Sequence, residues 1–503
     1  MTSSLSGTTS LDMVILNLLI AQGLMGAFDT VWHHEIRCAL PQQPNAAPEL
    51  RLHAIRAVLY GVLFAGLAWF AWGHDWLFVL WTIVGIEILL TLRDFVIEDQ
   101  TRSLPASERV THTVLAINGG AVFGLIAWRS ADWWALPNGL HFTPAGWHSW
   151  VLTIFALGVV ISGVRDALAS RALTSRERTA PPAFDFSGNN PARRAQTFLL
   201  VGATGFIGRV LARALLDQGH RVIIWARKPR IASQLFDGRA ACVGSLSELD
   251  PATRIDVTIN LAGAPIMGKR WSATRKRELI ASRVGTTNAL MAWLTAATHR
   301  PRLLINASAI GYYGVQAEDD LRQKNESSAA GNDFPAQLCE QWERAASAAT
   351  SLGIPLGIIR LGLVFGYQGV LPALLMPVHL GLGGAMGSGG QVMSWVHIDD
   401  VIGAIAWLCR GDGATIAAGE AVTYNLVAPE VTTQKALTRD AAALLRRPAF
   451  MKTPAWPVRL ILGEQATLLL DGVRVEPMRL RQQGYVFRFP ALHPALKNLL
   501  GMR

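Results

Sequence analysis

The hydrophobic residues divide the chain into two regions with different patterns. Up to about residue 175 they form long, almost uninterrupted apolar runs, whereas from residue 197 onward short apolar runs alternate with amphipathic stretches. Long apolar runs are typical of helices that cross a bilayer. Short apolar strands between amphipathic helices are typical of a parallel sheet with helices on both faces. The pattern therefore predicts an all-α membrane bundle followed by an α/β domain with a doubly wound parallel sheet.

Five apolar segments in the first region are long enough to span a membrane as helices. Their predicted positions are about 11–28, 54–73, 76–93, 111–128 and 147–167. The third and fourth contain Glu87 and Asn118, so buried helices of a soluble protein are the alternative interpretation. Because five such segments follow one another, we favour the membrane interpretation.

The arginines of this region predict its orientation. Lysine is absent from residues 1–178, and the N-terminal tail and the turn at 73–75 have no arginine either. The arginines in or beside the connections after the first, third and fifth segments are Arg37, Arg51, Arg56, Arg93, Arg102, Arg109, Arg165, Arg171, Arg176 and Arg178. Because cytoplasmic loops hold the excess of positive charge, we expect a multi-pass protein of the bacterial inner membrane. Its N-terminus would lie outside and its C-terminal domain in the cytoplasm.

The composition agrees with a membrane protein rather than a nucleic-acid-binding one. The net charge is +10, and 51% of the residues are hydrophobic while only 16% are charged. The basic residues form no run with interleaved aromatic residues, so we expect no nucleic-acid partner. The four cysteines are far apart and lack C-x-x-C spacing, which favours reduced thiols over a disulfide frame or a zinc site.

Changes of pattern also predict the domain boundaries. Residues 176–196 are polar, contain prolines and show no periodicity, which is typical of a linker. We therefore predict a transmembrane domain at 1–175, a nucleotide-binding domain at 197–428 and a smaller, mainly helical lobe at 429–503.

A glycine-rich turn lies at the start of the second region. Residues 197–208 read T-F-L-L-V-G-A-T-G-F-I-G, so an apolar strand is followed at once by glycines at 202, 205 and 208 and then by an amphipathic stretch. Strand, glycine-rich turn and helix form the first unit of a Rossmann-type dinucleotide-binding fold. The helix N-terminus supplies amides and partial positive charge for a pyrophosphate.

The second strand of this domain indicates which dinucleotide is bound. An acidic residue after that strand usually holds the ribose hydroxyls of NAD, whereas arginine there accommodates the 2′-phosphate of NADP. The strand at 222–226 is followed by Arg227 and Lys228 and by no acid. The sequence therefore favours NADP(H). The alternative is that these two residues are ordinary surface charges.

Six ordered motifs lie between residue 260 and residue 477. They are N-L-A-G at 260–263, K-R-W at 269–271, S-R-V-G-T-T at 282–287, S-A-I-G-Y-Y-G at 308–314, M-S-W-V-H-I-D-D at 393–400 and L-G-E-Q-A-T-L-L-L-D-G-V-R-V-E-P at 462–477. With them, residues 197–503 resemble the atypical extended short-chain dehydrogenases/reductases (SDRs) often labelled epimerase family proteins. The resemblance implies a Rossmann core, NADP(H) binding, an oxidoreductase or sugar-nucleotide epimerase label and a C-terminal segment of unassigned function.

The resemblance also implies where the cofactor binds. The residues that would hold its pyrophosphate are Gly202, Thr204, Gly205, Phe206, Ile207 and Gly208. Leu261, Ala262 and Gly263 would border the adenosine, and Ala307 would lie near the nicotinamide. Ser308 matches the serine that helps to polarise a substrate carbonyl in the wider superfamily.

One departure from the superfamily concerns the proton relay. The usual acid/base is a tyrosine with a lysine four residues later, and none of the six tyrosines has one. The stretch 334–343, where the pair should fall, contains nothing able to replace it. Tyr313, Lys269 and His397 are the candidates for moving the proton, and Lys269, Trp271 and His397 for contacting substrate. Each could equally be a packing, surface or locally bonded residue.

Two functions of different classes remain open. The first is an NADP(H)-dependent oxidoreductase that acts on a small or lipid-soluble substrate. The second is a non-catalytic NADP(H)-binding sensor or scaffold that reports to a membrane partner protein. The fold alone does not decide between them.

The cytoplasmic ends of the first four apolar segments carry several imidazoles and carboxylates. We predict metal ligands among them at His33, His34, His53, Glu98 and His112, with Asp29, Glu35, Asp94, Asp99 and Glu108 close by. Such a set can bind a transition metal, for which iron and zinc are the natural candidates. The alternative is a solvated polar rim that caps helices and pairs with the neighbouring arginines.

Overall fold

The computed structural model describes residues 9–37, 40, 46–101, 106–177, 184–188, 195–411 and 415–502. It divides into two compact units, Met1–Ala180 and Pro181–Arg503. We call them the helical unit and the nucleotide unit. Cys38, Arg102, Arg178 and most of the predicted linker lie outside the described residues, as do the side chains of Glu35 and Asp99.

Five long helices and one short strand pair form the described part of the helical unit. The helices are α1 (Ser10–Phe28), α2 (Ala47–Trp69), α3 (Trp76–Thr101), α4 (Ala106–Trp134) and α5 (Trp147–Glu177). A π-helical segment, Asp29–Arg37, continues α1. The strands β1 (Phe70–Gly73) and β2 (Gly139–Phe142) pair antiparallel. All five helices are long and apolar enough to cross a membrane.

Two local features of this unit differ from the sequence expectation. The second apolar segment was expected to be helical through residue 73, but α2 ends at Trp69 and the next four residues form β1. Hydrogen bonds to β2 explain the extended conformation, since they replace the bonds that another helical turn would make. The π-helical segment is the second feature, and it widens the turn that holds Asp29, His33 and His34.

The helical unit combines a buried apolar cluster with buried charged side chains. Residues such as Leu63, Leu80 and Ile126 fill its centre. Glu49 and Glu108 are fully buried as well, whereas Ile161 on α5 is 69% exposed. Apolar side chains therefore cover much of the surface of these helices, while carboxylates occupy part of the interior.

A seven-stranded parallel sheet forms the centre of the nucleotide unit. In chain order the strands are β3 (Thr197–Val201), β4 (Arg221–Trp225), β5 (Ala241–Val243), β6 (Val257–Asn260), β7 (Leu303–Ala309), β8 (Leu356–Leu361) and β12 (Ala421–Leu426). Their order across the sheet is β12-β8-β7-β6-β3-β4-β5. The order reverses next to β3, so the carboxyl ends of β3 and β6 border a crevice of the kind that binds nucleotides.

Helices cover both faces of this sheet. They are α6 (Phe206–Asp217), α7 (Pro229–Leu235), α8 (Ala273–Ile280), α9 (Thr286–Ala296), α10 (Phe334–Ser351) and α12 (Ile398–Arg410). Phe198 and Leu200 of β3 pack in the cluster that contains α6 and α12. Leu199 and Val201 pack in the cluster that contains α9 and α10. The alternation along one strand confirms the predicted doubly wound Rossmann-type sheet.

The remaining elements all follow β8 in the chain. They are β9 (Leu363–Phe365), α11 (Val370–His379), β10 (Val392–Met393), β11 (Trp395–His397), β13 (Thr432–Thr433), α13 (Gln434–Leu445), α14 (Ala455–Leu462), α15 (Thr467–Leu470), α16 (Met478–Gln482) and α17 (Leu492–Leu499). Phe365 and Trp395 stack at the centre of a separate cluster that α11, α13 and α17 complete. The region after residue 430 is therefore helical, as expected.

Candidate functional site

The glycine turn forms a close backbone cradle between β3 and α6. Gly202 has φ +84°, and a Cβ added there would lie 2.6 Å from the carbonyl oxygen of Leu261. A Cβ on Gly208 would lie 2.3 Å from the Gly202 carbonyl oxygen. Gly205 is the N-cap of α6, and neither a capping side chain nor an acidic residue occupies the first turn. The first amides of α6 are therefore left for an anion, as a pyrophosphate site requires.

The end of β4 presents two exposed cations. The strand ends at Trp225, Arg227 and Lys228 come after Ala226, and α7 begins at Pro229. Since β4 is the neighbour of β3 in the sheet, these two residues follow the strand that lies beside the glycine cradle. The structure thus brings together the two features from which the sequence predicts an NADP site.

A buried polar network supports the end of β6. The Asn260 side chain donates to Thr287 Oγ1 at 2.9 Å and to Asn306 Oδ1 at 2.7 Å, and it accepts from the backbone amide of Ala262 at 3.2 Å. The path of residues 261–263 past Gly202 is therefore fixed by side-chain hydrogen bonds. Gly263 faces Arg283, whose Cζ would lie 2.9 Å from an added Cβ.

Ser308 is part of a second buried network at the end of β7, which we call the Glu343–Arg360 network. Its hydroxyl donates to Glu343 Oε1 at 2.6 Å. Arg360 of β8 donates to both oxygens of Glu343, each at 2.8 Å. The Glu343 carboxylate accepts in its bonds with Arg360, and in its bond with Ser308 the hydroxyl is likewise the donor. The serine proton is thus directed away from any substrate carbonyl.

Tyr313 closes the other end of the Glu343–Arg360 network. Its hydroxyl accepts from Arg360 Nη1 at 2.9 Å and donates to Asn425 Oδ1 at 2.7 Å. Burial raises the pKa of the Tyr313 phenol, so it stays protonated at neutral pH. The Arg360 guanidinium carbon also lies 3.4 Å from the centre of the Tyr312 ring, a cation–π contact.

One face of α10 lies next to Ser308, in the stretch where other members of the superfamily have the catalytic tyrosine and lysine. Pro335, Cys339 and Glu343 recur every four residues on α10 and so share one face. A Cβ on Gly311 would meet Pro335 at 3.3 Å and Cys339 at 4.0 Å, so this face points to the end of β7. Burial raises the pKa of the Cys339 thiol to about 11. This cysteine is therefore a packing residue rather than a base.

The three predicted substrate residues make mainly structural contacts. Trp271 is buried and donates to the Ile266 carbonyl at 2.9 Å. Lys269 is exposed, and its carbonyl accepts from Gln465. His397 caps α12 by accepting from the Asp399 amide at 3.0 Å, while its Nε2 faces Asn498 Oδ1 at 3.1 Å. A role for any of the three in substrate binding stays a prediction.

The C-terminal segment covers the Glu343–Arg360 network. Val473 and Val475 pack against Tyr313. The Asn425 side chain donates to the Glu476 carbonyl at 3.1 Å, and Lys276 Nζ lies 2.7 Å from Glu464 Oε2. This segment therefore belongs to the wall of the candidate site.

Sequence reasoning missed three charged residues of the site, Glu343, Arg360 and Arg283. Arg360 interrupts an apolar strand, and a charge inside a buried strand needs a partner. The sequence therefore signals that Arg360 has a buried partner. It does not identify that partner as Glu343, 17 residues earlier in the chain, because the pairing depends on how α10 packs. Arg283 donates to the Ala264 carbonyl at 3.1 Å and lies against the Trp342 ring.

In the helical unit, the structure brings four of the five predicted metal ligands into groups. Three groups have possible ligand atoms within 4.8 Å of one another: Asp29, His34 and His112; Glu49, His53 and Glu98; and Glu98, Glu108 and His112. The fifth predicted ligand, His33, instead contacts Asp29 and Ser107 through its two ring nitrogens.

Comparison with known families gives two matches, both in the nucleotide unit. Residues 198–422 match the NAD-dependent epimerase/dehydratase family. Residues 453–499 match a domain of unknown function, DUF1731.

Curated relatives match over most of their own length. The chain is 35% identical over 309 residues to the epimerase family protein SDR39U1 of Mus musculus, covering 60% of this chain and 99% of the mouse protein. It is 30% identical over 306 residues to the epimerase family protein YfhF of Bacillus subtilis strain 168, covering 60% and 98%. The crystal structure of human SDR39U1 isoform 2 with NADPH is 30% identical, with a TM-score of 0.53, and covers 60% of this chain and 99% of the human one.

Proposed function

The chain is an NAD(P)-binding member of the NAD-dependent epimerase/dehydratase family, and from that membership we propose that it is a membrane-anchored oxidoreductase. It uses NADP(H) and acts on a small or lipid-soluble substrate. The observation that carries the proposal is the glycine cradle at the N-terminus of α6, beside the cations Arg227 and Lys228.

The choice of NADP(H) rests on charge and on a relative. The two cations at the end of β4 match the 2′-phosphate, and a carboxylate that would hold a free ribose hydroxyl is missing from that position. The human relative was solved with NADPH. The nicotinamide supplies hydride chemistry, and the protein positions it.

Tyr312 and the adjacent Arg360 take the place of the tyrosine and lysine pair in this proposal. Hydride transfer to a carbonyl leaves an alkoxide that needs a proton. Ser308 directs its proton to Glu343, so it accepts a hydrogen bond from a substrate hydroxyl instead of donating to a carbonyl. Tyr312 lies half-buried beside Arg360 with its hydroxyl outside the network, and we assign it the proton transfer.

The helical unit supports a membrane location. Its five apolar helices and the exposure of side chains such as Ile161 are what lipid-facing helices require. From the odd number of candidate spans and the arginine distribution we propose that the N-terminus lies outside and the nucleotide unit in the cytoplasm. Reporter fusions after Ser175 should read as cytoplasmic and fusions near Gly139 as periplasmic. Extraction of the chain by alkaline carbonate would contradict the membrane location.

An exposed apolar surface on the nucleotide unit favours a lipid-soluble substrate. Trp456, Leu460 and Ile461 of α14 are each more than two-thirds exposed. The Leu460 carbonyl accepts from Arg270, so this surface borders the loop that contains Lys269. An apolar surface of this kind suits a substrate, or a membrane surface, with hydrocarbon character.

One observation favours a non-catalytic NADP(H)-binding sensor or scaffold instead. The proton of Ser308 and the hydroxyl of Tyr313 are both committed to internal hydrogen bonds. A protein that only binds the cofactor, and reports its state to a membrane partner protein, needs no free acid or base.

Turnover separates the two functions. We expect the detergent-purified chain to oxidise NADPH with at least one member of a panel of carbonyls and quinones. Tyr312→Phe should then lower kcat while NADPH affinity stays unchanged. Val486→Ser serves as a control, because Val486 is 85% exposed and lies outside the apolar surface of α14. NADPH binding without turnover against any member would favour the sensor.

The helical unit supports a second proposal, that it holds a transition metal. The three groups of carboxylates and imidazoles offer nitrogen and oxygen donors within reach of a common ion. Metal analysis of the purified chain tests this independently of NADPH turnover.

A further inference from the structure

The side chains of these three groups come from four different helical segments that meet at one end of the helical unit. The contributing side chains are Asp29 and His34 after α1, Glu49 and His53 on α2, Glu98 on α3, and Glu108 and His112 on α4. Asp29, Glu49, Glu98 and Glu108 are all at least 94% buried. Burying four carboxylates in an apolar bundle is costly unless positive charge accompanies them.

We propose that these side chains form a dinuclear transition-metal centre in which Glu98 bridges two ions. The inference rests on the proposed metal in this unit and adds the number of ions and their ligands. It does not depend on what the nucleotide unit binds.

The first ion lies between α2 and α3. Glu49 and His53 are four residues apart on α2 and so share one face. Their ligand atoms and one of Glu98 all lie within 4.8 Å of one another. A carboxylate and an imidazole at helical spacing, completed by a carboxylate from a neighbouring helix, is an arrangement that carboxylate-bridged metal proteins of helical bundles use.

The second ion lies between α4 and the π-helical segment. Glu108 and His112 share a face of α4, and with Glu98 they form a group within 4.8 Å. Asp29 and His34 approach from the other side. His112 Nε2 lies 3.1 Å from Asp29 Oδ2, and His34 Nε2 lies 3.3 Å from the same oxygen and 3.7 Å from Glu108 Oε1.

Two of these three separations, 3.1 and 3.3 Å, match the spacing of ligands around one ion. Two donor atoms that each lie about 2.1 Å from an ion are roughly 3.0–3.4 Å apart at angles near 90–110°. Glu98 belongs both to the group with Glu49 and His53 and to the group with Glu108 and His112. It is the one carboxylate in both groups, and its two oxygens allow it to bridge two ions.

The π-helical segment explains how consecutive residues reach the same place. A π-helix makes i→i+5 hydrogen bonds, so residues four and five positions after Asp29 both lie on its face. His33 Nδ1 lies 2.7 Å from Asp29 Oδ1, while His33 Nε2 lies 3.1 Å from Ser107 Oγ. Because His33 lies outside the three groups and its Nε2 contacts the Ser107 hydroxyl, we assign it to positioning Asp29 instead of to the ligands, where the sequence had placed it.

Asp94 contacts one of the imidazole ligands from outside the ligand set. It is 2% exposed and accepts from Arg56 at 2.6 Å through Oδ2, which also lies 3.4 Å from His53 Nε2. Its Oδ1 makes no hydrogen bond within the described part of the chain. A carboxylate that orients a metal-bound imidazole is a common arrangement.

Charge balance sets the number of ions. The ligand set contains four carboxylates, and two divalent ions supply the four positive charges that neutralise them. Arg56 is already engaged by Asp94 and Glu87. The donor set contains imidazole and carboxylate but no thiolate or thioether, which favours iron, manganese or zinc over copper(I).

The experiment counts metal ions on the full-length chain purified in detergent and loaded with Fe(II) without oxygen. We expect two irons per chain, and Glu98→Gln should reduce this number to below about one because both ions lose a ligand. His74→Ala is the control, because His74 lies in the turn before α3, at the opposite end of that helix from Glu98. NADPH binding by each variant verifies that the nucleotide unit is intact.

A measurement on the unmodified chain covers the case in which Glu98→Gln does not fold. Partial oxidation of the iron-loaded chain should produce a mixed-valent state with an exchange-coupled EPR signal, because the two irons share Glu98. One iron per chain, or only isolated ferric signals, would overturn the dinuclear centre while leaving a metal site. No bound metal in a chain that still binds NADPH would overturn both metal proposals and leave the cofactor proposal standing.

Discussion

The two units distribute charge in opposite ways. In the nucleotide unit, both faces of the sheet pack against apolar residues, and the Glu343–Arg360 pair is enclosed by hydrogen bonds from neighbouring strands and helices. In the helical unit, apolar side chains such as Ile161 face outward, while Glu49 and Glu108 are fully buried. An interior that excludes unpaired charge is what folding in water requires. An apolar exterior suits contact with lipid. Carboxylates buried inside such a helical unit are candidates for a functional site.

The buried pair of the nucleotide unit provides the largest expected effect. Arg360→Met leaves Glu343 as an uncompensated buried charge and should destabilise the nucleotide unit by about 3–5 kcal/mol. Arg344→Met, on α10 next to Glu343, is the matched control, since it removes only the exposed pair with Glu340 and should cost about 0–1 kcal/mol. Thermal melting of the full chain in detergent measures both. Equal shifts would mean that the Glu343–Arg360 pair is no more buried than a surface pair.

A lysine placed on each unit's surface tests the contrast directly. Ile161→Lys places a charge near the middle of α5 and should disfavour membrane insertion by about 2.5–3.5 kcal/mol. Val486→Lys changes an exposed apolar residue of the nucleotide unit and should alter stability by less than about 0.5 kcal/mol. The amount of each variant in the membrane fraction is the readout. Normal insertion of Ile161→Lys would show that α5 does not face lipid.

The glycine cradle should be sensitive to a single methyl group. A Cβ on Gly208 would lie 2.3 Å from the Gly202 carbonyl oxygen, and backbone must move to relieve that contact. Gly208→Ala should therefore weaken NADPH binding by about 2–3 kcal/mol, or roughly 30- to 150-fold. Gly285→Ala is the control, because nothing lies within 4 Å of its Cβ. The NADPH affinities of the two variants are compared by nucleotide fluorescence at equilibrium. Similar affinities would show that the cradle does not bind the cofactor.

A smaller effect concerns the pH dependence of stability around α12. Burial lowers the pKa of His397 from 6.5 to about 3. Below pH 6.5 this imidazole is therefore protonated in the unfolded chain but stays neutral in the folded protein. Stability therefore falls as the pH drops through this range. Burial raises the pKa of Asp399 from 3.8 to about 6, which acts in the opposite direction because the folded protein binds that proton first.

The contributions of His397 and Asp399 differ in size, so the net change of stability with pH has a direction that can be tested. When the pH falls from about 7 to about 5, His397 should lower the free energy of unfolding by roughly 2 kcal/mol and Asp399 should raise it by roughly 1 kcal/mol, at about 1.4 kcal/mol per pKa unit. His397→Asn keeps a helix-capping acceptor but removes the titration. Its melting temperature should fall less on acidification than that of the unmodified chain. Parallel curves for the two proteins would exclude His397 as the titrating group.

The sequence predicted most of the nucleotide unit because its signals are local. The strand and glycine turn at 197–208 need only a dozen neighbouring residues, and the absence of an acid after β4 is visible in two positions. The strand pairing of Phe70 with Phe142 could not be predicted in this way, because it joins residues 72 positions apart at the ends of apolar segments. The bond between Ser308 and Glu343 depends similarly on how α10 packs against β7.

The helical unit was predicted in outline but not in its ligand geometry. Helical spacing alone pairs Glu108 with His112 and Asp29 with His33. The π-helical turn also presents His34 to Asp29, and the packing of α3 against α4 brings Glu98 within 3.3 Å of His112. Neither could be read from apolar periodicity, because both depend on hydrogen bonds and contacts between segments.

The most direct test of the cofactor assignment is a side-by-side titration of the unmodified chain with NADPH and with NADH. We expect NADPH to bind more tightly by about 1–3 kcal/mol, or roughly 5- to 150-fold, because Arg227 and Lys228 interact with the 2′-phosphate. Arg227→Asp should remove or reverse this preference, whereas Arg230→Asp, at the second residue of α7, should retain it. Equal affinity of the unmodified chain for the two nucleotides would contradict the proposal that it is an NADP(H)-dependent protein.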